Sequence, residues 1–529
     1  MAHAAARRRR DEAAQDHVPE ADEVRWHVTR GKEVWCVALL LTVALGALGI
    51  RLVRLGSEPF WLDETCTASF NAGTFGRVVT AYAKDIHPPL YAVLLHSWST
   101  VVGGSEKALR GFSTVWSIIG LLVAALLTRD ITGSRPAALM AGLLVAVNPL
   151  DIWYAQEARM YAQAAALAAM LAWVLWHWIH TGGRTGGSWT SATAFGLLST
   201  MLLYTHYVAA VVVASQVLVA VAIFSVRRRR RDVALVLGAA AASAVLFLPW
   251  VGFVHRFRDG LYSAAQVGWI QNPSLGDAFG FLNHEFFLGF GAAPAAAAGW
   301  FSVVAGVVLA VIVTAAASAG AGTEAREPQP LGEALAFLFG LVIVPPLLAV
   351  TIGDLWHPVY FRPRFSLFCL IPTVVAVVTL LTRVRPPLRT LLVATVAAMM
   401  AAGAAWQALA PTKSGLREVA HLSRSFGEPE FVIMLPPPNQ FLVHYYLPHS
   451  DFQPSQQALA SSLHTGRTTT VWVCLQGGQI PRPGSPDGDL VAWLATTGPH
   501  RLLGHADGFA VFELQARPDP ADYHASSAK

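Results

Sequence analysis

Charge is what this chain has least of. Of its 529 residues only 13% are Asp, Glu, Lys or Arg, while 54% are hydrophobic and the mean hydropathy is +0.46. A soluble domain carries roughly 25% charged residues, and a chain of this length would need several solvated surfaces. A soluble protein is excluded. Cysteine is scarce as well: four residues, at 36, 66, 369 and 474, with no C-x-x-C pair, which excludes a zinc ribbon or a disulfide scaffold. A bridge between Cys66 and Cys474 stays open if both lie outside the cell. No basic polar domain exists either, because the arginines gather at the ends of apolar stretches. The net charge of +5 therefore reflects membrane orientation and not a nucleic-acid partner. There is also no fixed-period repeat.

What is present is a series of apolar runs. Residues 1–33 are polar, with Arg7 to Arg10 in a row, and precede a run from Val34 to Val53. That run is longer than a signal-peptide core and sits behind a basic leader, which predicts a retained membrane helix with a cytoplasmic N-terminus. Ten more runs follow, near 108–128, 135–150, 155–179, 189–205, 207–226, 233–254, 295–318, 332–353, 364–382 and 389–407. Parity decides the doubtful stretch from Pro88 to Val102. Arg227 to Arg231, five arginines in a row, belong inside by the positive-inside bias, and counting 88–102 as a span would put them outside. It is read as part-embedded or interfacial.

About eleven crossings then make 34–410 a polytopic α-helical membrane domain in the cytoplasmic membrane. Its loops 54–87 and 255–294 lie outside, and so does the tail, 411–529. That tail is rich in Pro, Ser, Gly and His, and no run in it spans a bilayer. Phe431–Leu435, Thr470–Leu475 and Phe509–Leu514 read as strands, and Leu416–Phe426 as a helix, of a small extracytoplasmic α/β cap.

On this topology the unusual residues collect at the outer face. The first loop reads EPFWLDETCTASF, with Asp63 and Glu64 just after Trp61, and continues to DIHPPLY around His87 and Tyr91. Adjacent carboxylates at a bilayer surface repel and lose hydration, which suits one of them to general-base work. The competing reading of Asp63 is a helix N-cap. In NPLDIWYAQEARMY, Gln156, Glu157, Arg159 and Tyr161 would be costly facing lipid and belong to a cavity or to an interhelical contact. THY brings His206 and Tyr207, and DLWHPVYFRPRF brings Arg362 and Arg364. An arginine fork grips phosphate oxygens, although interfacial snorkelling explains the same pair. Arg110 near the start of a span is either an anchor or a site residue. Together these residues describe an outward cavity with a base candidate, cations and aromatic walls, open to lipid on one side.

The order of these motifs resembles a known family. The Asp-Glu pair, HPPLY, R-x-x-S at Arg110 to Ser113, YAQEARMYA at 154–162 and YTHY at 204–207 look like the protein O-mannosyltransferase-like branch of the GT-C glycosyltransferases, which includes lipid A aminoarabinose transferases. The likeness is strongest over about 35–230, weaker through 357–372, and fades in the cap. It implies inverting transfer of one sugar from a polyprenyl-phosphate sugar to a glycan, lipid or protein acceptor at the outer leaflet. It further implies Asp63 as the base, Glu64 as an orienting carboxylate, and His87, Arg159, Arg362 and Arg364 as the seat of the donor phosphate. Some relatives carry Lys at His87, which would make phosphate binding there pH-dependent if the imidazole titrates near neutrality. No metal is required by this scheme, and a divalent ion on Glu and His of the outer face is left open. Two other readings compete. A transporter or flippase of lipid-linked saccharides would carry internal repeats and broken helices, and a non-catalytic scaffold would leave Asp63 replaceable.

Overall fold

The computed structural model describes residues 19–181, 187–257, 274, 276, 285–289, 295–318, 331–356, 359, 364–409, 413, 416–435, 440–453, 469–476, 500–506 and 509–516. Each apolar run is helical. The bundle comprises α1 (Pro19–Leu52), α2 (Leu62–Asn71), α3 (Phe75–Lys84), α4 (Leu90–Val102), α5 (Glu106–Thr132), α6 (Arg135–Ala146), α7 (Pro149–Ala155), α8 (Tyr161–Thr181), α9 (Gly187–Leu203), α10 (Ala209–Val226) and α11 (Arg230–Phe257). It continues with the four-residue α12 (Glu285–Leu288), then α13 (Ala295–Ser318), α14 (Leu331–Leu355), α15 (Ser366–Leu381) and α16 (Pro386–Leu409). Among the described residues seven helices are long and apolar enough to cross a membrane, or eight if the bent pair α6 and α7 is one span. This is a multi-pass membrane protein.

Two boundaries depart from the sequence reading. The run expected at 155–179 begins late, since α8 starts only at Tyr161 and 156–160 is irregular, and the run expected at 135–150 is broken, α6 and α7 meeting at 62°. Asn148 makes this break, its side chain accepting from the Asp151 amide at 3.1 Å and donating to the Phe286 carbonyl at 2.9 Å. Helix α4, by contrast, is only 13 residues long, about 20 Å at 1.5 Å per residue. Its start is tied to Tyr204 and its end to Asn71 and Ala108. Both ends therefore lie on one side of the bundle, and the helix does not cross it.

Small residues let the helices approach, as is usual where lipid gives no hydrophobic drive between them. At Gly403 of α16 a Cβ would stand 2.1 Å from the Phe287 carbonyl, so only glycine admits α12 there. One buried charge, at the end of α1, is completely paired. Arg51, fully buried, donates to Ser117, to the carbonyls of Ala47, Val145 and Ala146, and to Asp151 at 2.5 Å. The opposite end of the bundle holds the arginine run. Arg227 and Arg229 both donate to the Ile179 carbonyl, at 2.6 and 2.7 Å, capping α8 where its dipole is negative, and they pair with Glu333 and Asp232.

The tail forms α17 (Arg417–Phe426), β1 (Phe431–Leu435), α18 (Gln440–Tyr446), β2 (Asp451–Phe452), β3 (Thr469–Gln476), β4 (His500–Ala506) and β5 (Phe509–Ala516), with sheet order β2-β1-β3-β5-β4. β1 runs parallel to β2 and β3, and the β3, β5, β4 side is antiparallel. Alternation sorts the side chains: Val432, Met434, Trp472, Cys474 and Val511 pack under Val419 of α17 and Leu442 and Val443 of α18. The expected strands and helix are present; β2, β4 and α18 are additions. Cys474 is buried in this layer, and all four cysteines are free. The Cys66–Cys474 bridge is not formed.

Candidate active site

The first loop decides the geometry, and two neighbouring carboxylates meet opposite fates within it. Trp61 is the N-cap of α2, so the N-cap reading of Asp63 fails, and Asp63 and Glu64 stand in the first turn roughly 100° apart around the helix. Glu64 turns inward and is fully buried. Arg110 grips both of its oxygens, at 2.8 and 2.7 Å, the Ala158 amide donates at 2.8 Å, and Lys413 stands 3.3 Å away. Burial raises its pKa, but Arg110 and Lys413 outweigh that and bring it down to about 2. Arg110 also donates to the carbonyls of Leu55, Glu58 and Pro59 and stacks on Phe60. These two residues are a clamp holding the loop, and Glu64 has no exposed surface.

Asp63 turns the other way. Its carboxylate keeps 23% exposure and accepts from Arg364 at 2.6 Å. The Arg364 guanidinium lies over the rings of Trp61 and Tyr161, at 5.7 and 5.1 Å. Arg159, 4% exposed, donates to the Asp63 carbonyl and to Thr67 and lies 3.3 Å from His87. His87 in turn donates from Nδ1 to Asp85 at 2.9 Å. Burial and the Arg159 charge push its pKa down in spite of Asp85. The imidazole is neutral at pH 7, so its titration falls below neutrality. His206 packs edge-on at 5.4 Å, and its Nδ1 accepts the Val208 amide at 3.1 Å, leaving the proton on Nε2. Burial together with His87, Arg159 and Arg364 holds it far below the ordinary value.

Several polar atoms here are buried without a hydrogen-bond partner: Glu157 Oε1, Arg159 Nε, Tyr161 Oη and Trp61 Nε1. Each such atom costs about 1–3 kcal/mol, and four of them gather around one carboxylate–arginine pair. Glu157 sits in the irregular segment 156–160 and is 1% exposed. Burial raises its pKa to about 7 against the pull of Lys413 and Arg364.

Other residues predicted for the cavity have plain structural duties. Gln156 donates to the Arg51 and Val53 carbonyls at 2.8 Å, closing the end of α1. Tyr91 bonds Ser113 at 3.1 Å, and Tyr207 accepts from Trp250 at 2.9 Å. Arg110 and Gln156 line a separate, largely apolar cavity of about 330 Å³ beside α16, which neither Asp63 nor Arg159 borders. Arg362 lies outside the described residues. Among the described residues no group of three His, Cys, Asp or Glu side chains is placed to hold a metal ion.

The residue the sequence did not single out is Lys413. It reaches from the segment joining α16 to the cap, is 5% exposed, and lies 3.1 Å from the Gln156 carbonyl and 5.3 Å over Trp153. A lone Lys just past the last apolar run reads as an interfacial anchor, so its sequence carried no stronger signal. The cap docks on the same loop: Arg417 pairs with Glu106 at 2.6 Å, and the Tyr446 hydroxyl meets Glu106 and accepts the Phe60 amide at 2.6 Å.

Residues 86–253 match the family described as dolichyl-phosphate-mannose-protein mannosyltransferase. The segment includes His87, Glu157, Arg159 and His206 and excludes Asp63 and Arg364. No curated protein sequence matches the chain. Among solved structures, ArnT from Cupriavidus metallidurans in the apo state is similar at TM-score 0.50 and 14% identity, with 92% of this chain and 98% of that chain covered. The same protein bound to undecaprenyl phosphate gives 0.47 and 13%, with 91% and 98% covered. The oligosaccharyltransferase AglB from Archaeoglobus fulgidus, in complex with an inhibitory peptide and a dolichol-phosphate, gives 0.48 and 13%, with 84% and 70% covered. The likeness to apo ArnT establishes the fold: a polytopic helical bundle followed by a mixed sheet.

Proposed function

From a chain whose residues 86–253 match the family described as dolichyl-phosphate-mannose-protein mannosyltransferase and whose fold is similar to that of ArnT, we propose an inverting transferase. It moves a single sugar from a polyprenyl-phosphate sugar to a glycan, lipid or protein acceptor. The observation that carries the reading is Asp63, part-exposed, set against Arg364 and Arg159 amid buried unpartnered polar atoms. Asp63 takes the proton of the acceptor hydroxyl as that oxygen bonds to the anomeric carbon. The bond from that carbon to the phosphate oxygen breaks with its electron pair, and the phosphate leaves into the field of Arg159 and Arg364. Preorganised cations stabilise charge that grows only in the transition state, and neutral His87 adds a hydrogen-bonding partner. Arg362 is the fourth phosphate ligand of this reading.

The site end is assigned to the outer face, with the arginine-rich end in the cytoplasm. Counting the bent pair α6–α7 as one span and adding α9, α13 and α15 to the seven longer helices gives eleven crossings. The bent pair α6 and α7 is the one observation favouring transport. It is a single break at the site end among the described residues, whereas a transporter of the repeat type carries corresponding breaks in two halves. The test is purified protein in nanodiscs with a panel of radiolabelled polyprenyl-phosphate sugars and a membrane extract. Sugar leaving a donor with wild type but not with Asp63→Asn supports the transferase. No turnover of any donor overturns it.

A further inference from the structure

The buried charges of the site can be paired off. Glu64 is answered by Arg110, Asp63 by Arg364, and Asp85 faces His87 and Arg159. Lys413 then stands as a second cation beside Glu64, 3.3 Å from its Oε2, and its charge also reaches Glu157. The remaining buried carboxylate beside it is Glu157, next in sequence to the Gln156 carbonyl that Lys413 grips at 3.1 Å. The groups facing Glu157 are Lys413 from the cap connector, Arg364 ahead of α15, Asp63 and Glu64 from α2, Tyr154 of α7 and Tyr161 of α8. With Glu157 ionised the four cations Arg110, Arg159, Arg364 and Lys413 meet four carboxylates. A phosphate group entering the site adds a further negative charge to this neutral set.

We propose that Glu157 takes up a proton from solvent when an anionic phosphate group enters the site, so that the buried cluster stays neutral, and that Lys413 keeps the carboxylate ionised beforehand. The inference rests on the reading of the site as a seat for a donor phosphate. Three features support it: Glu157 is 1% exposed, its Oε1 has no hydrogen-bond partner, and burial holds its pKa at about 7. A carboxyl poised there is largely ionised at pH 8, and an added anion nearby favours the protonated form. Linkage is reciprocal: proton uptake on binding requires binding to tighten as pH falls. Protonation also gives Glu157 an O–H to donate, where the carboxylate could only accept.

The test uses full-length protein in nanodiscs and geranyl methyl phosphate, a prenyl phosphodiester with no proton of its own to exchange near neutrality. Calorimetry at pH 8 in buffers of different protonation enthalpy counts the protons taken up. Wild type is expected to take up more than about half a proton per site, and its affinity to weaken by up to about tenfold per pH unit above pH 8. Glu157→Gln, similar in shape, should bind with no uptake and no such slope. Lys413→Gln keeps a hydrogen-bond donor but loses the charge. It should move the window of uptake to higher pH, and Lys413→Arg should restore it. Binding by wild type with no proton uptake, or equal uptake in Glu157→Gln, overturns the inference and leaves the transferase reading standing. Absence of binding overturns the phosphate seat itself. The wild-type slope alone decides the matter if a variant does not fold.

Discussion

The two ends of the bundle use the same residue types to different ends. At the arginine-rich end, Arg227 and Arg229 donate to the last carbonyls of α8 and close on Glu333 and Asp232, and Trp178 completes Asp232 at 3.0 Å. At the other end, Arg159 and Glu157 are more deeply buried, yet each keeps a polar atom without a partner. Charge that is fully answered holds helices together. Charge left partly unanswered, at a cost the fold tolerates, marks the end to which the proposed site is assigned.

The sharpest way to break this contrast is at Asp63. Asp63→Asn should lower sugar transfer by about 10²–10⁴-fold, the usual weight of a general base, with thermal unfolding unchanged; both are read on the same nanodisc preparation. Next comes the clamp. Arg110→Met leaves Glu64 buried with Lys413 as its remaining cation and should cost about 3 kcal/mol of stability, seen as early unfolding in a detergent melt. The same pair predicts an acid limit. Glu64 titrates at about 2 when folded against an ordinary 4.5, so its contribution is full above about pH 4.5 and disappears as pH falls towards 2. That loss should be absent from the acid titration of Glu64→Gln.

Arg159→Ala should weaken binding of a polyprenyl phosphate by about 10- to 100-fold, the worth of hydrogen bonds to a charged group, measured as a shift in Kd. The smallest effect belongs to the opposite end. Arg227→Gln should cost about 0.3–1 kcal/mol through the α8 terminus and leave transfer at wild-type rate. A large loss of transfer there would erase the distinction between the two ends.

Most of the bundle was legible because membrane helices announce themselves by length and apolarity, and the parity argument kept 88–102, a helix of 13 residues, out of the count of crossings. The strands of the cap with β-branched and aromatic runs, β1, β3 and β5, were equally plain. His500–Ala506, carrying His, Arg and Gly, lacked that signature. Within the site the cast was largely readable but the roles were not. Asp63 and Glu64 are adjacent in sequence, and only the rotation of α2 decides which is clamped and which is presented. Arg51 and Asp151 lie 100 residues apart, and Glu64 and Lys413 349 apart. No local pattern links such pairs. The break at Asn148 was hidden because the apolar character of the sequence continues through it.

The cap connector has a consequence for how the chain is made. The Phe60 amide waits for a hydroxyl 386 residues downstream, and the Glu64 carboxylate waits for an ammonium from beyond the last membrane helix. During synthesis every helix of the bundle emerges before either arrives. The first loop therefore lacks these two contacts until the connector and α18 have been made, and a ribosome halted after α16 would leave a bundle whose first loop is held by Arg110 without Lys413 and Tyr446.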